Sequence, residues 1–164
     1  MSDSCCTLPN ADAGTAGADR CPSCSRKGKP VGAETINALA RPELQPAGGF
    51  PAGYVCTNPD DPILYFFPGD TPALSQDDVT VRVGFKEAEA PHLVCYCFEH
   101  TREDIQHEYR QHGESLIEAS IREQVSQGTC SCEVKNPTGR CCLGEVRAAY
   151  RDLVELVTAE ELQS

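Results

Sequence analysis

The sequence predicts an α+β chain built as two small modules, a β-rich one followed by a helical one. Three observations carry this reading. Up to about residue 90 the apolar residues come in short runs broken by turn chemistry, as in Tyr54-Val55-Cys56 and Pro62-Ile63-Leu64-Tyr65-Phe66-Phe67 around Asn58-Pro59-Asp60-Asp61. Past residue 100 they recur at helical spacing, as in Ile105 with Tyr109, and Ile117 with Ile121 and Val125. The 164 residues hold no Trp, one Met and 6% aromatics against eleven Cys, so two small cores stapled by bound metal are expected in place of one large apolar core.

Composition also excludes several classes. The N-terminus MSDSCCTLPNADAGTAGADR has neither a basic stretch nor an apolar one of the kind that directs secretion, so a reducing, cytoplasmic setting is expected, and there close-set cysteines read as metal or redox sites. The odd cysteine count rules out complete disulfide pairing within one chain. No apolar run approaches the ~18 residues of a membrane span. A formal charge of -11 opposes binding to nucleic acid, and the acidic side chains of the helical half, Glu103, Asp104, Glu108, Glu114, Glu118 and Glu123, would repel phosphate. An enzyme is not expected, because a nucleophilic cysteine stands alone among its helpers whereas these come in pairs.

Residues 1–19 lack periodicity and read as a disordered arm, in which Cys5 and Cys6 are either spectators or ligands for a soft ion such as Cu(I). The β-rich module is expected over 20–90. It opens with Cys21-Pro22-Ser23-Cys24, whose CxxC spacing and following Gly and basic residues suit a zinc knuckle, with Lys27 and Lys29 offsetting thiolate charge. A short helix is predicted over 35–40, stopped near Pro42. Cys56, at the end of a strand, is placed to be a third zinc ligand, and Asp61 across the turn is the candidate fourth, with Asp60 second. The alternative for Asp61 is a turn aspartate that binds its own backbone. Val79-Thr80-Val81-Arg82-Val83 alternates as a strand, and Lys86–Pro91 reads as a polar connector.

The helical module is expected over 91–160. Thr101 with Asp104 forms a capping box for a first helix ending at Gly113, Ser115 with Glu118 one for a second ending at Gly128, and a third begins near Leu143. Cys95 and Cys97 precede the first helix, and Cys130, Cys132, Cys141 and Cys142 lie between the second and third. Two thiol groups at the ends of a helical hairpin can converge on one centre, and four thiolates on two irons is what a 2Fe-2S cluster requires. The first-turn amides near Thr101 would favour an anionic cluster. Cys95, Cys97 and Cys130 are the first choices as ligands. Cys141, brought back by the Asn136-Pro137-Thr138-Gly139 turn, is the preferred fourth, with Cys132 and Cys142 as alternatives. His100 is a candidate donor to a cluster sulfur.

The runs CYCFEHT (95–101) and GTCSCEVKNPTGRCCLG (128–144), with CPSC, TINAL, YVC, ILYFF and VRVG upstream, resemble the N-terminal domain of CopZ-type copper chaperones. The resemblance implies a zinc-binding module followed by a 2Fe-2S domain related to bacterioferritin-associated ferredoxin. By position it assigns Cys21, Cys24 and Cys56 to zinc, and Cys95, Cys97, Cys130 and one later thiol to the cluster. It implies one-electron transfer linked to copper handling. Two departures stand out: relatives often carry a cysteine where this chain has Asp61, and no heavy-metal-associated domain follows Ser164, so such a domain is expected on a separate redox or copper-handling partner. The other readings are a non-redox zinc module and a cluster carrier.

Overall fold

The structure, a computed structural model, describes residues 17–163. The expected disordered arm, with Cys5 and Cys6, therefore lies almost wholly outside the described residues. The fold is α+β, an antiparallel four-stranded sheet followed by a helical region. The chain divides into two units, Met1–Ala88 with Ser131–Cys141, and Glu89–Cys130 with Cys142–Ser164. The segment Ser131–Cys141, placed by its sequence in the helical module, thus groups with the β-rich unit.

In the β-rich unit, β1 (Lys29–Val31), β2 (Gly53–Val55), β3 (Ile63–Phe66) and β4 (Leu74–Ser75) pair in chain order, each antiparallel to the next. Helix α1 (Ala33–Leu39) follows β1 and ends where the chain turns into a 3-10 turn at Pro42–Leu44. The sheet's two faces have different tasks. Val55, Tyr65 and Leu64 join Val31, Ile36, Leu39, Phe50 and Phe67 in the main core, while Phe66, Tyr54 and Ile63 face Cys21 and Cys56. Strict alternation would not put both Leu64 and Tyr65 in one core; the register shift between Ile63 and Tyr65 allows it.

Gly53 is where β2 approaches β3 too closely for a side chain. A Cβ there would lie 2.6 Å from the Phe66 carbonyl oxygen and 2.7 Å from the Phe67 ring. Gly53→Ala is expected to destabilise the protein by ~1–3 kcal/mol, the usual range for overpacking, read as a lower thermal midpoint.

The segment Val79–Val83 is not a strand. Val79 makes a single bridge to Ala40, Thr80 N–H bonds to the Leu39 carbonyl at 2.8 Å, and the chain then turns through a 3-10 turn at Gly84–Lys86. Val79 and Val83 are buried and Val81 half-buried, on the side the alternation suggests, but α1 ends beside it, so a ladder has no partner to continue on. The segment Ser131–Cys141 closes the unit. Short helix α4 (Cys132–Lys135) packs on α1, with Thr35 Oγ1 donating to the Glu133 carbonyl at 2.6 Å, and Tyr65 Oη donates to the Pro137 carbonyl at 2.7 Å. Buried Asn136 holds the following turn by accepting from the Thr138 N–H and hydroxyl, both at 2.9 Å.

In the helical unit, β5 (Leu93–Cys95) and β6 (His100–Thr101) form a hairpin that leads into α2 (Arg102–His112), α3 (Ile117–Ser126) and later α5 (Leu143–Leu162). The Thr101–Asp104 capping box forms as expected, and Gly113 ends α2 at φ 76°. Ser115 behaves differently from the expectation: its hydroxyl donates to Glu108 Oε2 at 2.8 Å, the Leu116 N–H donates to the same oxygen at 2.9 Å, and Glu118 instead pairs with Arg122 and Arg147. Glu108 of the preceding helix thus ties down the start of α3, while the Ser115 hydroxyl accepts from the Ile117 N–H at 3.4 Å. Ile105, Ile117, Ile121, Val146, Ala149 and Leu153 are buried, and Tyr109 meets Tyr150 edge to face at 6.0 Å.

Candidate metal centre

Four donors from the β-rich unit converge. Cys21 and Cys24 sit on a tight reversal between Arg20 and Lys27, which bridge, and this reversal is closed by Cys21 N–H to the Arg26 carbonyl and Ser25 N–H to the Cys21 carbonyl, both at 2.9 Å. Ser25 adopts φ 60° there, the left-handed conformation that lets the chain fold back sharply behind the thiols. Cys56 follows β2, with its N–H bonded to the Leu64 carbonyl at 2.8 Å. Asp61 precedes β3 and accepts from the Ile63 N–H at 2.8 Å. The turn-forming role weighed against Asp61 as a ligand is thus real, and the same oxygen also faces the thiols. Asp60 is exposed.

The ligand atoms of Cys21, Cys24, Cys56 and Asp61 all lie within 4.8 Å of one another. Cys24 Sγ is 3.6 Å from Cys56 Sγ, and Cys21 Sγ is 3.9 Å from Asp61 Oδ1. A tetrahedron with Zn–S bonds of about 2.3 Å has S···S edges of about 3.8 Å, so the donor set fits zinc in number, type and spacing. Phe66, stacked on Tyr54 at 5.5 Å, packs beside the thiols and keeps Cys21 and Cys56 buried.

The electrostatics separate the thiols. Burial pushes the Cys56 thiol up to about 12. The Cys24 thiol is lowered, first by the backbone hydrogen bond at Arg26, which outweighs desolvation with help from Asn58, Cys56 and Cys21. Burial raises Asp61, but hydrogen bonds at Ser23, Ile63 and Cys24 and the charge of Lys86 bring its carboxyl below the usual range.

Lys86 is the residue that sequence reasoning missed. It is 5% exposed, and its Nζ donates to the Asn58 and Asp61 carbonyls, both at 2.7 Å. Burial lowers its pKa, while Cys56, Asp61, Cys21 and Cys24 pull it back up. The lysines expected to offset the thiolate charge are elsewhere: Lys27 pairs with Asp19 at 3.4 Å with its side chain 75% exposed, and Lys29 is exposed on β1. Nothing in the local sequence distinguishes Lys86 from a connector lysine.

In the helical unit, Cys95 ends β5 fully buried, opposite His100 in the hairpin register, and Cys97 is half-buried in the connecting turn. Cys142, also buried, precedes α5 and places its Sγ 3.0 Å from that of Cys95, beyond the ~2.05 Å of a disulfide. Cys130 and Cys141 are half-buried, and Cys132 is buried at the start of α4. The amides at the start of α2 are engaged within the unit, Arg102 N–H with the His92 carbonyl at 2.8 Å and Asp104 N–H with Thr101 Oγ1 at 3.1 Å.

A family described as a zinc binding domain, zf_CopZ, matches residues 18–80, which contain all four converging donors. The copper chaperone CopZ of Archaeoglobus fulgidus is 32% identical over 126 residues, 75% of this chain and 57% of the relative. This chain is a homologue of the CopZ N-terminal domain. The X-ray structure of that domain from A. fulgidus superposes with a TM-score of 0.64 at 28% identity, covering 79% of this chain and 95% of the solved one. The chain thus spans a little over half the length of the curated CopZ relative, and it matches nearly all of the solved N-terminal domain. The relative is named as a chaperone, not an enzyme. No described helix is long and apolar enough to cross a membrane.

Proposed function

We propose that this CopZ-like chain holds a structural zinc through Cys21, Cys24, Cys56 and Asp61 and a 2Fe-2S cluster in its cysteine-rich helical region, and that it serves one-electron transfer in copper handling. The observation that carries the zinc assignment is the convergence of three thiols and a carboxylate within 4.8 Å. For the cluster, the support is the pair Cys95 and Cys142, whose sulfurs lie 3.0 Å apart and buried, close enough to share one iron. Cys97, in the turn of the same hairpin, supplies a third thiolate, and Cys142 takes the place for which the sequence favoured Cys141. When bound, such a cluster exchanges one electron. The surrounding residues would keep water from the sulfurs through the burial of Cys95 and Cys142, and the β5–β6 hairpin fixes Cys95 opposite His100.

The copper connection rests on the relative's name. An acidic chain suits a basic partner, and a heavy-metal-associated chaperone domain is the partner we propose. Anaerobic purification tests the reading: a red-brown protein that bleaches with dithionite and holds two irons and one zinc per chain is expected. A colourless, iron-free protein that retains zinc would instead establish the non-redox zinc module.

A further inference from the structure

The zinc centre carries more negative charge than its ion can neutralise. Three thiolates and one carboxylate from Cys21, Cys24, Cys56 and Asp61 around Zn2+ leave two net negative charges in a site where Cys21, Cys56 and Asp61 are buried. Uncompensated charge in such a place is costly, and it makes bound thiolates better nucleophiles. Lys86 is the buried cation among the described residues. Its ammonium binds the carbonyls of Asn58 and Asp61, leaving the Asp61 carboxylate for the metal.

We propose that Lys86 is the counter-cation of this site, a positioning residue that clamps the Asn58–Asp61 turn and removes one of the two excess negative charges, so that the thiolates stay on the metal and resist electrophiles. The proposal rests on the zinc reading above. Two distinct effects follow from the geometry. The hydrogen bonds fix the backbone of Asp61, whose carboxylate lies 3.9 Å from Cys21 Sγ, and the charge lowers the electron density available on sulfur. Cys24 is where the second effect shows, because it is the half-buried thiol of the set and the one a reagent reaches.

The test uses the full chain, zinc-loaded and oxygen-free, treated with iodoacetamide, with alkylation of Cys24 followed by peptide mass spectrometry and zinc loss followed with a chromogenic chelator. Lys86→Met keeps the length of the stem and removes the charge; Lys86→Gln removes the charge but can still donate to a carbonyl; Lys86→Arg keeps the charge. The two neutral variants are expected to be alkylated at Cys24 about three- to tenfold faster than wild type, as thiolates of raised basicity are, and to release zinc faster, with Lys86→Arg close to wild type. Should Lys86→Met fail to fold, the comparison of Gln with Arg decides. Equal rates in all zinc-loaded variants would overturn the proposal, as would Lys86→Arg reacting as fast as Lys86→Gln, which would leave Lys86 a packing residue only. Wild-type protein that takes up no zinc would be a different failure, that of the zinc reading itself.

Discussion

Cys56→Ala is expected to leave the protein without zinc and to lower the thermal midpoint of the β-rich unit by more than ~10 °C. The reason is how the unit divides its labour. Twelve buried residues form the core on one side of the sheet, but on the other side only Phe66, with Tyr54 and Ile63 partly buried, packs against Cys21 and Cys56. The turn at Cys21–Cys24 and the turn at Asn58–Asp61 therefore have little apolar burial of their own, and what joins them is the shared ion. Structural zinc contributes apparent binding free energies of ~10–16 kcal/mol, as large as the ~5–15 kcal/mol that separates a whole domain from its unfolded state. Losing one of four ligands forfeits a large part of this. Metal analysis and calorimetry together give the check, and hydrogen exchange should show protection lost first at the amides of Cys21, Ser25 and Asp61. A zinc-free variant melting at the wild-type temperature would mean that the twelve-residue core suffices alone.

Cys142→Ala is expected to abolish the visible absorption of the anaerobic protein, while Cys141→Ala keeps it. The two residues are neighbours in sequence and differ in placement: Cys142 is 1% exposed with its sulfur 3.0 Å from Cys95, whereas Cys141 is half-buried. A cluster missing one of four thiolates is lost or becomes labile, so the effect is close to all or none. Cys95→Ala should behave like Cys142→Ala, and iron content with the absorption spectrum reads both. Retention of full iron in Cys142→Ala would show that the close sulfur pair is a packing contact and that the cluster, if present, is held by other thiols.

Local chemistry made much of this chain legible. The CxxC at Cys21, the strand before Cys56 and the turn before Asp61 each announce themselves through nearest neighbours, because reversals and short strands are set by the Gly, Pro and Asp residues within them. The Thr101–Asp104 box is of the same kind. Misreadings arose wherever a distant group competed. Ser115 gave up its role toward Glu118 because Glu108 of the preceding helix reached it first, and Val79–Val83 lacked a strand partner although its alternation was correct.

The amino-acid pattern alone carried the α+β class, the strands beside Cys56 and at Ile63–Phe66, the helices α1, α2, α3 and α5, and the four residues that converge as the candidate zinc site, since each depends on local spacing or on the chemistry of its side chain. Tertiary structure alone decided that the Lys86 ammonium binds the Asp61 carbonyl, that Ser131–Cys141 packs with the β-rich unit, and that Cys142 comes to Cys95. Those contacts join residues 25, 98 and 47 positions apart, and closure over such distances is settled by which surfaces can be buried together, a property no local window contains.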